Sequence, residues 1–158
     1  MSVTRKADPQ RARILVVEDD PEAALFAVHV LTHQGQYDVT HTPDPVVALR
    51  LAISEHWDLV LTDVDMPGMT GLELADALRR EVPALPVAVV TAHAPAAMTS
   101  AAFRPAEVYL EKPLRIDELL ATATTLIGKG RSIGNERGIG NGRSIGKGRS
   151  IGNGRGIG

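Results

Sequence analysis

A doubly wound α/β fold, (βα)5 with a parallel sheet in the strand order 2-1-3-4-5, is predicted by three observations. Three runs are nearly continuous aliphatic stretches, as expected of parallel strands covered by helices on both faces. Two more mixed runs suit edge strands, and apolar residues at helical spacing fill the intervals between strands. Acidic and hydroxyl residues recur where the strands should end. In an open sheet of this order, ligands sit beyond the carboxyl ends of the strands, at the switch point between the first and third.

The first strand is Arg13–Val17 (RILVV). Pro21 then opens the first turn of the first helix, whose predicted inner stripe is Ala23, Phe26, Ala27, Val30 and Leu31. Leu25 and Val28 fall off that stripe and are expected on the surface. Tyr37–His41 (YDVTH) is the second strand, followed by a helix with Val46, Leu49 and Ile53 on its inner face. Asp58–Thr62 (DLVLT) is the third strand, and Leu74, Leu78 and Val82 mark the third helix. Pro86–Thr91 (PVAVVT) is the fourth strand, and a weaker helical segment runs from Pro95 to Ala102. Glu107–Leu110 (EVYL) closes the sheet. Ile116, Leu119, Leu120, Ala123 and Ile127 then give a last helix expected to end near Gly128 as a C-cap.

The chain has 158 residues, enough for one domain, with 44% hydrophobic and 23% charged residues. Aromatics are only 3%, which argues against a base-stacking nucleic-acid platform, and the absence of cysteine removes disulfides, thiol nucleophiles and cysteine zinc sites. No apolar run reaches the length of a membrane span or a signal peptide, so the expected compartment is the cytoplasm. The net charge of −2 divides into −8 over residues 1–127 and +6 over residues 128–158, and 12 of the 15 glycines fall in the latter segment. That segment reads GKGRSI, GNERGI, GNGRSI, GKGRSI, GNGRGI and Gly158. Five isoleucines cannot offset the ordering entropy of so many glycines, so a disordered tail is expected. The predicted organisation is an N-terminal extension (1–12), a domain (13–127) and this Gly/Arg-rich repeat tail (128–158).

At the predicted strand ends stand Glu18-Asp19-Asp20, Asp63, Thr91 and Glu111-Lys112-Pro113. Carboxylates gathered at one mouth repel one another, and a hard divalent cation is the simplest relief. With few protein ligands, Mg²⁺ fits better than Ca²⁺. A lysine beside them can hold a phosphoryl oxygen as a point charge, and a threonine hydroxyl can donate to another. The chemistry suggested is phosphoryl transfer onto a carboxylate. Taken singly, Asp19 and Asp20 could merely cap a helix, Asp63 could be a loop acid and Tyr109 ordinary packing. His29 and His33, spaced i, i+4, read as surface histidines because no third metal ligand is in view.

ILVVEDDP, DLVLTDVDMPGMTGLEL, VAVVTAH and VYLEKPL together resemble the motifs of two-component response-regulator receiver domains, in order over residues 13–127. The resemblance implies a flavodoxin-like fold with Asp63 as phosphoacceptor. It implies Mg²⁺ held by Asp19 and Asp63, by Glu18 through water, and by the backbone carbonyl of Asp65. Lys112 and Thr91 would contact the phosphoryl group, Tyr109 would be the aromatic switch, and Lys112-Pro113 would be cis. The implied partner is a sensor histidine kinase or a histidine phosphotransfer protein. The sequence departs from the family where Arg104-Pro105-Ala106 replaces the usual Gly-Ala pair before the fifth strand.

No DNA-binding or enzymatic output sequence is recognised after residue 127, so output is expected through an unidentified downstream protein, through relay to another histidine protein or through the tail, and the chain is not expected to be an enzyme. Two alternatives compete. A receiver-like module that is never phosphorylated would bind partners only. A haloacid dehalogenase-like phosphatase would use the DxD of LVLTDVDMP, but those enzymes place the nucleophile after the first strand, where Glu18-Asp19 stand here.

Overall fold

The computed structural model describes residues 8–92 and 106–139, with side chains through Arg131. Five parallel strands, β1 (Arg13–Val17), β2 (Asp38–Thr42), β3 (Leu59–Asp63), β4 (Val87–Thr91) and β5 (Val108–Glu111), form one sheet in the order β2-β1-β3-β4-β5. The aliphatic runs are the inner strands, and every residue of β3 and β4 is buried. Strand alternation sends Ile14, Val16, Leu59, Leu61, Ala88 and Val90 into one core layer and Leu15, Val17, Val60, Val87 and Val89 into the other. Each of the Val, Leu and Ile side chains among them contributes about 1.5–3 kcal/mol on burial.

Helix α1 (Pro21–His29) begins at Asp20, whose carboxylate accepts from the Glu22 amide at 3.2 Å, and it runs on as a π-helical turn, Val30–Gln34. Helix α2 (Pro45–Ser54) is capped in the same way by Asp44, which accepts from the Val46 amide at 2.8 Å. Helix α3 (Gly71–Glu81) starts with a reciprocal Thr70–Glu73 capping box. α1 and the last helix, α4 (Ile116–Ile139), cover one face of the sheet, while α2 and α3 cover the other.

Three expectations require correction. On α1 the buried row is Ala24, Ala27, Val30 and Leu31, whereas Ala23 is half-buried and Phe26 exposed. Leu25 is exposed as expected, but Val28 packs partly against the core. On α2 the buried row is Pro45, Ala48 and Ala52. Val46 and Ile53 are 45% and 54% exposed, and Leu49 is half-buried. Rows 46-49-53 and 45-48-52 have the same spacing and both are apolar, so periodicity cannot choose between them. The small alanines let the helix approach the sheet closely, and the larger side chains are turned outward.

The third correction concerns the C-terminal end. α4 buries Leu119, Ala123, Leu126 and Ile127, with Ile116 largely exposed, but it passes Gly128 and continues to Ile139. A Cβ added at Gly130 would stand 3.9 Å from the Pro86 ring, and Arg131 Nε lies 3.9 Å from Asp58 Oδ1. Both distances place the helix beside the amino-terminal edge of the sheet just beyond the expected cap. The expected helix at Pro95–Ala102, residues 1–7 of the N-terminal extension and residues 140–158 of the tail lie outside the described residues. No helix among the described residues is long and apolar enough to cross a membrane.

Candidate functional site

The strand order reverses beside β1 and β3, and the residues that follow these two strands meet at the carboxyl edge. Carboxylate oxygens of Glu18, Asp19 and Asp63 lie within 4.8 Å of one another. Asp63 and Glu18 are 4% and 7% exposed, whereas Asp19 faces solvent. From beyond β5, Lys112 Nζ reaches 3.0 Å from Asp63 Oδ1 and 3.6 Å from Glu18 Oε2. The Asp63 contact is a close ion pair without the alignment of a hydrogen bond, and Oδ1 is buried with no hydrogen-bond partner. The Lys112–Pro113 peptide is cis, as the resemblance implies.

Burial pushes the Glu18 carboxyl above its ordinary range. The Asp20 amide opposes that rise, and the Asp63 charge adds to it. Burial also raises Asp63, against the pull of the Lys112 ammonium 3.0 Å away. Burial works to lower Lys112, but Asp63 and Glu18 more than compensate, so the ammonium is held above its ordinary value. The site therefore concentrates negative charge around the Lys112 ammonium. A buried carboxylate oxygen lacking a hydrogen bond, beside two more carboxylates, is a donor set suited to a hard, oxygen-binding divalent cation such as Mg²⁺.

The loops are held by the backbone. The Glu18 amide donates to the Thr42 carbonyl at 3.2 Å, and the Asp20 amide donates to Glu18 Oε1 at 3.2 Å. After Asp63, the Val64 amide donates to the Val90 carbonyl and the Gly71 amide to the Val64 carbonyl, both at 2.9 Å. Gly68, at φ 82°, takes the left-handed conformation that the MPG turn requires. Thr62 Oγ1, fully buried, donates to the Asp63 carbonyl at 3.0 Å.

Of the residues singled out from the sequence, Glu18, Asp19, Asp63 and Lys112 are brought together. Thr91 is buried at the end of β4, one residue past the register partner of Asp63. Asp65 is exposed in the loop after β3. Tyr109 lies deeper, paired with Val89 and half-buried, with its hydroxyl buried and without a hydrogen-bond partner. His29 and His33 are exposed with ring centroids 4.5 Å apart. The acidic cluster is the only group of three or more metal-binding side chains among the described residues. Thr62, Gly71 and His41 were not singled out. Thr62 alone carried a signal, as a hydroxyl inside an otherwise aliphatic run.

Residues 14–124 match the family model of the response regulator receiver domain. Among curated relatives, Sensor protein EvgS of Escherichia coli K12 is 40% identical over 88 residues, covering 56% of this chain and 7% of that protein. Transcriptional regulatory protein TcrA of Mycobacterium tuberculosis is 36% identical over 123 residues, covering 75% of this chain and 47% of that protein. The chain thus spans less than half the length of either relative. Among solved structures, response regulator TrrA of Thermotoga maritima, in complex with Mg²⁺ and BeF, aligns with TM-score 0.65 at 30% identity, over 73% of this chain and 98% of that one. The receiver domain of a LuxO-type repressor from Vibrio parahaemolyticus aligns with TM-score 0.73 over 80% of this chain and 97% of that one. At 23% identity it shows the fold alone. A sheet whose order reverses beside a buried aspartate, and a family match over most of the chain, lead to one assignment: this chain belongs to the response-regulator receiver family.

Proposed function

We propose that this receiver is a phosphorylation-driven switch in which Asp63 accepts a phosphoryl group from a phosphohistidine. The observation that carries the reading is the buried Asp63 carboxylate with Lys112 Nζ at 3.0 Å and the Glu18 and Asp19 carboxylates beside it. An Asp63 oxygen attacks phosphorus, the P–N bond breaks, and the electron pair leaves with the donor imidazole, which is then protonated. Lys112 holds a phosphoryl oxygen, and the Thr91 hydroxyl donates to another. Asp19 and Asp63, with Glu18 and the Asp65 backbone carbonyl beside them, would hold Mg²⁺, which would neutralise charge on the transferring group.

Transfer places about −1.5 to −2 charges at Asp63 and offers new acceptors to Thr91 and Lys112. The resulting shift biases a loop-and-helix element, with Tyr109 as the packing element that follows Thr91. The donor is a sensor histidine kinase or a histidine phosphotransfer protein, and output passes to a downstream protein in the cytoplasm. Residues 13–127 form the switch module, with 1–12 as an extension and 128–158 as an appended repeat.

Intact mass after incubation with a small phosphoramidate and Mg²⁺ tests this reading. One added phosphoryl group on the wild type, absent in Asp63→Asn and abolished by EDTA, is expected. A folded, Mg²⁺-binding wild type that gains no mass from either the small donor or a phosphohistidine protein would refute it, leaving a silent interaction module. Steady hydrolysis of phosphate esters would favour the phosphatase instead.

A further inference from the structure

The acidic loop is held from an unexpected direction. His41, on the edge strand β2, directs Nε2 at the backbone carbonyl of Glu18, 2.8 Å away, so Nε2–H is the donor. Its neighbour Thr42 receives the Glu18 amide at 3.2 Å. Both polar groups of the Glu18 backbone are therefore bound to the last two residues of β2, one by the main chain and the other by a side chain. The Glu18 carbonyl belongs to the peptide plane shared with Asp19. Fixing that plane sets the direction in which the Asp19 side chain leaves the chain. The Thr42 bond fixes the preceding plane and cannot do this. No backbone amide takes the place of His41 on that carbonyl among the described residues.

The neighbouring plane has only weak support of its own. The Asp20 amide reaches Glu18 Oε1 at 3.2 Å, and that carboxylate is also drawn toward Lys112. Asp19 is exposed, so packing does not hold it either.

We infer that His41 is a positioning residue: by holding the Glu18–Asp19 peptide it pre-orients the carboxylate pair for the divalent cation and sets the affinity of the site. The inference rests on the reading of this mouth as a cation-assisted phosphoryl acceptor. It assigns to His41 no contact with the phosphoryl group. Substitution should therefore move the cation dependence of the reaction and leave its limiting rate in place.

The test compares wild type, His41→Ala and His41→Gln, the last able to donate from its amide. Mg²⁺ affinity is measured by calorimetry, and the rate of Asp63 phosphorylation by a small phosphoramidate is measured across Mg²⁺ concentrations. Loss of one net hydrogen bond predicts about a three- to ten-fold weaker Mg²⁺ dissociation constant in His41→Ala, with the same rise in half-saturating Mg²⁺. The saturated rate should stay within about two-fold, and His41→Gln should recover most of the affinity. In metal-free protein, the Asp19 amide resonance should move in His41→Ala and return in His41→Gln. Unchanged Mg²⁺ affinity in His41→Ala, a fall confined to the saturated rate, or an unmoved Asp19 amide each overturns the inference. A wild type that takes no phosphoryl group would instead defeat the functional reading, while the amide shifts still decide the role of His41.

Discussion

Replacing Gly71 by alanine opposes two effects whose magnitudes can be compared. Gly71 is the first residue of α3, and alanine in a helix is favoured over glycine by about 0.5–1 kcal/mol, with the gain smaller still in a first turn. Taken alone, that preference predicts stabilisation. An added Cβ would, however, stand 1.9 Å from the Asp63 carbonyl oxygen, 2.7 Å from its carbon and 2.9 Å from Val64 Cα. Ordinary carbon contacts lie near 3.5–4.0 Å, and all three opposing atoms are backbone, so no rotamer change relieves the overlap. Overpacking of this kind costs about 1–3 kcal/mol, and displacing the loop also strains the Gly71–Val64 hydrogen bond of 2.9 Å. The expected net loss is about 2 kcal/mol, read as a lower urea midpoint at unchanged m-value. Because the clash falls on the backbone of Asp63 itself, phosphorylation should slow as well. An alanine variant as stable as the wild type would refute the reasoning.

Four further outcomes are expected. Gly128→Ala, in α4 with nothing within 4 Å of the added Cβ, should stabilise by about 0.5–1 kcal/mol, and a lower urea midpoint would contradict this. Because burial raises the Asp63 carboxyl, its cost to folding is fully present above its folded pKa, is relieved as pH falls from there toward the ordinary value of 3.8, and is absent below it. Asp63→Asn should therefore be the more stable protein at neutral pH without Mg²⁺. That advantage should shrink on acidification, whereas a pH-independent difference would count against the assignment. Mg²⁺ at a hundred times its dissociation constant should stabilise the wild type by about 2.7 kcal/mol, reversibly with EDTA; an equal gain in Asp19→Asn would place the cation elsewhere. Asp65→Ala should change the dephosphorylation rate if the exposed Asp65 carboxylate reaches the attacking water, and equal rates in variant and wild type would remove that role.

Much of this protein was legible in one dimension. Continuous aliphatic runs located β1, β3 and β4 to within a residue, because a strand covered on both faces must be apolar at every position. Strand-end residues then marked the mouth, since parallel strands all present their carboxyl ends on the same edge. Glu18, Asp19, Asp63 and Lys112 meet there for that reason. Asp20 was anticipated as a cap of the first helix, and Asp44 and Thr70, not singled out from the sequence, cap α2 and α3 by the same local device.

The rest depended on distances between segments far apart in the chain. Periodicity could not choose between two apolar rows on α2, and the sheet selected the one with alanines. Gly128 read as a C-cap, yet α4 continues past it to Ile139, with Arg131 near Asp58. The overlap that confines Gly71, and the reach of His41 to the Glu18 carbonyl, have no sequence signature. Sequence patterns encode which residues must be buried and where the backbone turns. They do not encode which non-adjacent atoms come within contact distance, and that proximity decides the geometry of this site.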